Sequence, residues 1–229
     1  RLSRLRDKVQ LLADAGVDQV LCLAFNQRLR ELSASAFVQA VLVDGLGVKH
    51  LEIGDDFRFG CDRSGDFAFL QQAGAAAGFT VEEAATVELN GSRVSSTRVR
   101  EALQAADFVE AEHLLGRPFA IAGRVVHGQK LGRQLGTPTA NVQLKRHRVP
   151  LNGVFLVSME LEGVLQPGVA NIGVRPSVKA DGFAHLEVHL LDFAGDLYDR
   201  RVSVVFHHKL RDEQRFASLE ALKSAIAAD

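Results

Sequence analysis

At 229 residues, 47% of them hydrophobic, the chain can bury one large core or two ordinary ones, and nothing in its composition suggests disorder. A formal net charge of −1 lacks the basic excess of a nucleic-acid binder, and no apolar run of about 18 residues or signal-peptide layout points to a membrane or to secretion. Two cysteines, Cys22 and Cys61, are too few for a disulfide framework or a zinc site, so a reducing cytoplasm is expected.

Leu5, Val9, Leu12 and Ala15 follow a helical period that Gly16 stops, and residues 17–25 have strand character. A second helix runs through Phe37, Val41 and Leu42 to Gly45, with a strand at 48–53. Residues 66–77 form a helix ended by Gly78, and 79–84 form another strand. Helices alternating with strands predict a parallel sheet. The first element is a helix with no strand to cross over from. Residues 1–116 are therefore expected to be the later part of a Rossmann-like α/β domain whose beginning is missing. Helices at 97–106 and at 108–115, the latter capped by Asp107, close this half before Gly116 and Pro118.

From Phe119 the pattern changes. Residues 119–127, 153–161, 168–172, 185–191 and 201–209 have strand character, separated by Gly, Pro and Asp turns without helices. Such a series predicts an antiparallel barrel or sandwich for residues 117–229. A last helix from Ser218, with Leu219, Leu222 and Ile226 on one face, is expected to pack on it.

The run Gly123-Arg124-Val125-Val126-His127-Gly128 and the following Gly132-Arg133-Gln134-Leu135-Gly136-Thr137-Pro138-Thr139-Ala140-Asn141 carry the chemistry. Glycines let backbone N–H groups approach phosphate oxygens, and Lys130 and Arg133 can supply charge. The Thr139 hydroxyl and Asn141 amide can offer oxygen ligands to a hard cation such as Mg²⁺ or Mn²⁺, on a turn fixed by Pro138. The plainer reading is a Gly-rich hairpin in which Asn141 caps a turn. Neither G-x-x-x-x-G-K-[ST] nor G-x-G-x-x-G occurs, which disfavours a P-loop or a dinucleotide-binding turn.

The whole pattern G-x-V-V-x-G-x-x-x-G-R-x-L-G-x-P-T-A-N closely resembles the signature of riboflavin kinases. The resemblance continues through Asn152-Gly153-Val154-Phe155 and Val169-Ala170-Asn171-Ile172-Gly173-Val174-Arg175-Pro176, then Leu186-Glu187-Val188-His189 with Phe193 and Leu197-Tyr198. It ends with Leu210-Arg211-Asp212-Glu213, Phe216 and Ser218-Leu219-Glu220. It implies an antiparallel β-barrel with a C-terminal helix that transfers the γ-phosphoryl group of ATP to the ribityl hydroxyl of riboflavin, giving FMN. It assigns the base to Glu187, the metal ligands to Thr139 and Asn141, and ATP or phosphate contacts to Gly128, Lys130, Gly132, Arg133, Gly136 and Tyr198. Arg211 would sit in a flap near the flavin. Other readings stay open. His185, Glu187 and His189 alternate on one strand face and so could be a solvated polar face, or a two-histidine, one-carboxylate metal site of an oxygenase. The same barrel could also hold a flavin or nucleotide without turning it over.

Ser95-Ser96-Thr97-Arg98-Val99-Arg100 stands where a loop enters a helix, a position whose free N–H groups and positive end favour anions. Gly54-Asp55-Asp56-Phe57-Arg58-Phe59-Gly60 follows an expected parallel strand, where open α/β sheets bind ligands. Together these resemble the S-S-T-x-[IV]-R and G-x-D-F-x-F-G blocks of the FAD synthetase domain that precedes riboflavin kinase in bifunctional bacterial enzymes. The resemblance implies adenylyl transfer to FMN, giving FAD, with Ser96, Thr97, Arg98 and Asp56 near the phosphates. That family's His-x-Gly-His motif is absent, since the chain contains no Gly-His dipeptide, so these residues alone are not expected to make FAD.

Overall fold

The computed structural model describes residues 2–128, 137–145, 149–174 and 184–214. They divide into two compact units, Gly16–Arg93 on one side and Arg1–Ala15 with Val94–Asp229 on the other.

Within Gly16–Arg93, the short helices α2 (Gln27–Arg30) and α3 (Ala34–Phe37) begin at Asn26 and Ser33, whose side chains accept the backbone N–H groups of Leu29 and Ala36. The chain continues from α3 as a π-helical stretch, Val38–Val43, with wide bonds from Asp44 N to Gln39 O (2.9 Å) and Leu46 N to Val41 O (3.0 Å). Strand β1 (His50–Ile53) pairs in parallel with β2 (Thr80–Glu83), and α4 (Phe67–Ala77) is the crossover between them. Gly78 ends α4 as expected, in the left-handed conformation at φ 80°, while Asp66, expected as the first helical residue, is instead the N-cap, its Oδ1 accepting from Phe69 N at 2.9 Å. Ala34, Val38, Leu42, Ile53, Phe59, Leu70 and Phe79 form this unit's core. A hairpin of β3 (Glu88–Leu89) and β4 (Ser92–Arg93) turns at Asn90-Gly91, both with positive φ (55° and 70°), as a two-residue type I′ turn requires.

Residues 17–25 differ from their strand pattern. They lie in no strand, and Leu21, Leu23 and Phe25 are exposed. Strand character alone forms nothing without a neighbour to accept and donate the ladder bonds, and no described strand pairs with this segment.

The other unit contains α1 (Leu5–Asp14), α5 (Ser96–Gln104), α6 (Phe108–Leu115) and a closed six-stranded antiparallel barrel. Its strands are β5 (Ala120–Val126), β6 (Ala140–Gln143), β7 (Gly153–Leu161), β8 (Val164–Val174), β9 (Ala184–Leu190) and β10 (Arg201–Arg211), ordered β10-β5-β6-β9-β8-β7. Closure comes from β10, which pairs with both β5 and β7. Strict alternation along β9 buries Ala184, Leu186, Val188 and Leu190. One inner rung, Val125–Val142–Leu186–Ile172, runs across four strands, and all four side chains are buried. Phe108 at the start of α6 packs on Phe155 and Phe206, ring centroids 5.9 and 6.3 Å away. Helix α1 is tied to the barrel by Arg4, whose guanidinium donates to the carbonyls of Ala122 and Leu144, and by Asp7, which pairs with Arg201 at 2.6 Å. The expected helix from Ser218 lies outside the described residues.

Candidate functional site

The polar residues of β9 occupy the face opposite the barrel core, and strand register decides what stands beside them. Asn141 on β6 and Asn171 on β8 are both direct partners of Glu187, one on each side. In-register neighbours share a face about 5 Å apart, so the expected base and one expected metal ligand are adjacent on the barrel wall. Glu187 is half-buried there, and Asn171 Oδ1 is buried with no hydrogen-bond partner among the described residues. Continuing the β6–β9 register by one residue puts Thr139 opposite His189. His185, the next residue of this face, has Nε2 4.0 Å from Glu213 Oε1.

The Pro138–Asn141 turn is held from two sides. His189 Nδ1 lies 2.9 Å from the Pro138 carbonyl oxygen. A Cβ added at Gly128 would fall 2.6 Å from both Cγ and Oδ1 of Asn141, so glycine is what allows the β5 chain end to lie against that amide. Gly128 and Asn141 are thereby brought together from the two arms of the glycine-rich segment. Lys130, Gly132, Arg133 and Gly136, on which the phosphate reading also drew, lie outside the described residues, as do Arg175 and Phe216.

A cleft of about 350 Å³ opens beside this turn, lined among others by Thr139, Ala140, Val188, Phe193, Asp196 and Tyr198. Thr139 and Tyr198 border it, whereas Asn141 and Glu187 stand on the neighbouring outer rung. Tyr198 N donates to Asp196 Oδ1 (2.9 Å), and its ring packs on His127 with centroids 3.9 Å apart. Neither His127 nor Asp196 was marked by a sequence signal. Arg211 ends β10 in register with Val154 and donates to the Asp212 carbonyl at 3.3 Å.

The donor set of Thr139 and Asn141, a hydroxyl and an amide oxygen, suits a hard cation. The oxygenase alternative fares differently: among the described residues no three His, Cys, Asp or Glu side chains converge to hold a metal, His185, Glu187 and His189 included. Side chains two apart on one strand are spread along it rather than focused on a point.

In the earlier half, Ser95 is the N-cap of α5, its Oγ accepting from Arg98 N at 3.3 Å, and Ser96 and Thr97 occupy the first turn. The Arg98 guanidinium reaches Glu110 Oε1 at 2.7 Å and ties α5 to α6. Gly54 to Gly60 leave the carboxyl end of β1, with Phe59 anchored in the core and Asp55 and Asp56 facing Arg93 at 3.1 and 3.9 Å. Asp56 and the Ser96–Thr97–Arg98 group fall in different compact units.

Comparison with known proteins matches residues 115–229 to the riboflavin kinase family model and residues 1–98 to that of FAD synthetase. The chain is 77% identical to the bifunctional riboflavin kinase/FMN adenylyltransferase of Pseudomonas fluorescens, covering 93% of this chain and 69% of that protein. It is 53% identical to the enzyme of the same name from Escherichia coli K12, covering 100% of this chain and 73% of that one. A solved structure described as a macrolide-efflux protein from Streptococcus pneumoniae matches with a TM-score of 0.81 at 30% identity, over 100% of this chain and 73% of its own. No helix among the described residues is long and apolar enough to cross a membrane.

Proposed function

Because the chain belongs to the bifunctional riboflavin kinase/FMN adenylyltransferase family, we propose that its barrel moves the γ-phosphoryl group of ATP onto the terminal ribityl hydroxyl of riboflavin, with Glu187 as the base. The observation that carries the reading is the rung Asn141–Glu187–Asn171. A carboxylate there can accept the hydroxyl proton as the oxygen attacks phosphorus, next to the amide that would help hold the metal. Mg²⁺ or Mn²⁺, when bound with ATP, would neutralise charge on the bridging phosphate oxygens. Thr139 and Asn141 would hold it, and the fit of Gly128 against Asn141 favours a fixed amide position. Gly128 together with Lys130, Gly132, Arg133 and Gly136 would cradle the phosphates. The cleft bounded by Thr139 and Tyr198 would take the nucleotide, and Arg211 would approach the flavin.

The segment matched to FAD synthetase belongs to the adenylyl-transferring half of the family, with Asp56, Ser96, Thr97 and Arg98 proposed near its phosphates. Arg98 would do so while paired to Glu110. Two exposed thiols, Cys22 and Cys61, support a reducing, cytoplasmic setting.

The test is to incubate the chain with riboflavin, ATP and Mg²⁺ and to separate the flavins by chromatography. FMN is expected, and Glu187→Gln should lower kcat by roughly 10²–10⁴-fold while leaving the fold intact. Equal FMN from that variant would remove Glu187 from the mechanism, and FMN bound but never formed would favour a carrier. The same chromatogram reads FAD, the product of the adenylyl-transferring half of the family.

A further inference from the structure

The geometry points to His189 as a positioning residue that ties the Pro138–Thr139 end of the turn onto the strand carrying Glu187, and so sets where the Thr139 hydroxyl stands relative to the proposed base. This inference rests on the kinase reading of the site. Its observation is the 2.9 Å contact between His189 Nδ1 and the Pro138 carbonyl oxygen, across 51 residues of sequence. A carbonyl oxygen only accepts, so Nδ1 carries the proton, and the imidazole is either the Nδ1–H tautomer or the cation. Pro138 immediately precedes Thr139, and His189 is the next outward-facing residue of β9 after Glu187. One hydrogen bond therefore joins the backbone of the turn to the strand of the base.

Sheet pairing alone leaves this junction open. The β6–β9 ladder runs from Gln143↔His185 to Ala140↔Val188, which stops one residue short of Thr139. Beyond that point no backbone bond joins the turn to β9 among the described residues, and the histidine supplies the tie where the ladder ends. Asn141 is fixed by the ladder and by Gly128; Thr139 depends on the histidine. Loss of the bond should therefore weaken the nucleotide–metal half of the site selectively and leave the flavin half and the base where they are.

The experiment compares wild type, His189→Ala and His189→Asn in the 229-residue chain. Asparagine places its Nδ2 donor where the imidazole carries Nδ1–H, so it keeps the bond and removes the ring. Steady-state kinetics with each substrate varied would be joined by calorimetric titration with ADP and Mg²⁺, which reads binding without turnover. The alanine variant is expected to bind ADP·Mg²⁺ and to show KM for ATP·Mg²⁺ roughly five- to tenfold worse, the scale of one lost hydrogen bond, with KM for riboflavin within about twofold. Asparagine should restore most of the loss. Equal failure of the asparagine and alanine variants in ADP·Mg²⁺ binding, a uniform loss across both substrates, or no change would overturn the assignment. Wild-type chain that forms no FMN would instead overturn the kinase reading, and the ADP titration would still judge His189 on its own.

Discussion

Gly128 is where a single methyl group separates geometry from chemistry. Gly128→Ala would drive Cβ into the Asn141 amide, and because that amide is held in a β6 register it has little room to retreat. KM for ATP·Mg²⁺ is expected to rise by about tenfold or more in the FMN assay, the order of one misplaced ligand, while a thermal melt moves by only a few degrees. The residue types at 128, 139, 141 and 187 were legible in sequence because a Gly-rich turn and a family block mark them. Their adjacency was not. Asn141 and Glu187 are 46 positions apart, and only the antiparallel register makes them neighbours. Asn171, only one member of a family block in the sequence, stands on the same rung, with a buried oxygen beside the proposed base. His189 carried a place in a family block and the polar-face and oxygenase readings but no role of its own, since nothing local announces a bond to a carbonyl 51 residues away.

At the level of elements, helix ends were read well because their signals are local. Asp107 is an N-cap and Gly78 and Gly116 are left-handed stops, at the positions expected, and Asp66, read as the first residue of its helix, is the cap one position before it. Asp107→Ala should remove the 2.9 Å bond to Glu110 N and lower the stability of the barrel unit by about 1 kcal/mol, measurable by denaturant melting with an unchanged slope. The cost reaches the barrel because the next residue, Phe108, packs against Phe155 and Phe206. Short elements escaped. Strand β6 has four residues and β3 and β4 two each, too few to establish a period, although Asn90-Gly91 did carry the hairpin signal in plain view. Residues 17–25 show the converse error, a good local pattern whose partner strand is not among the described ones.

Among the described residues, one core gathers around Leu70 and Phe59 and another lies inside the barrel, in different compact units. Leu70, 1% exposed, is the test of their independence. Leu70→Ala should cost the Gly16–Arg93 unit roughly 2–5 kcal/mol, lowering one of two calorimetric transitions while FMN formation stays at wild-type rate. The change of pattern after Phe119 let the two kinds of architecture be read from sequence, since helix–strand alternation and a run of bare strands dictate different sheets. The closing strand β10 also has a consequence in time. Arg124 on β5 waits for Arg201, 77 positions later, before their pairing can form. At about 5–20 residues per second of synthesis, that is roughly 4–15 s during which β5 presents an open edge. A ribosome stalled before residue 201 would hold a chain that has every residue of the Asn141–Glu187–Asn171 rung and no closed wall to mount it on.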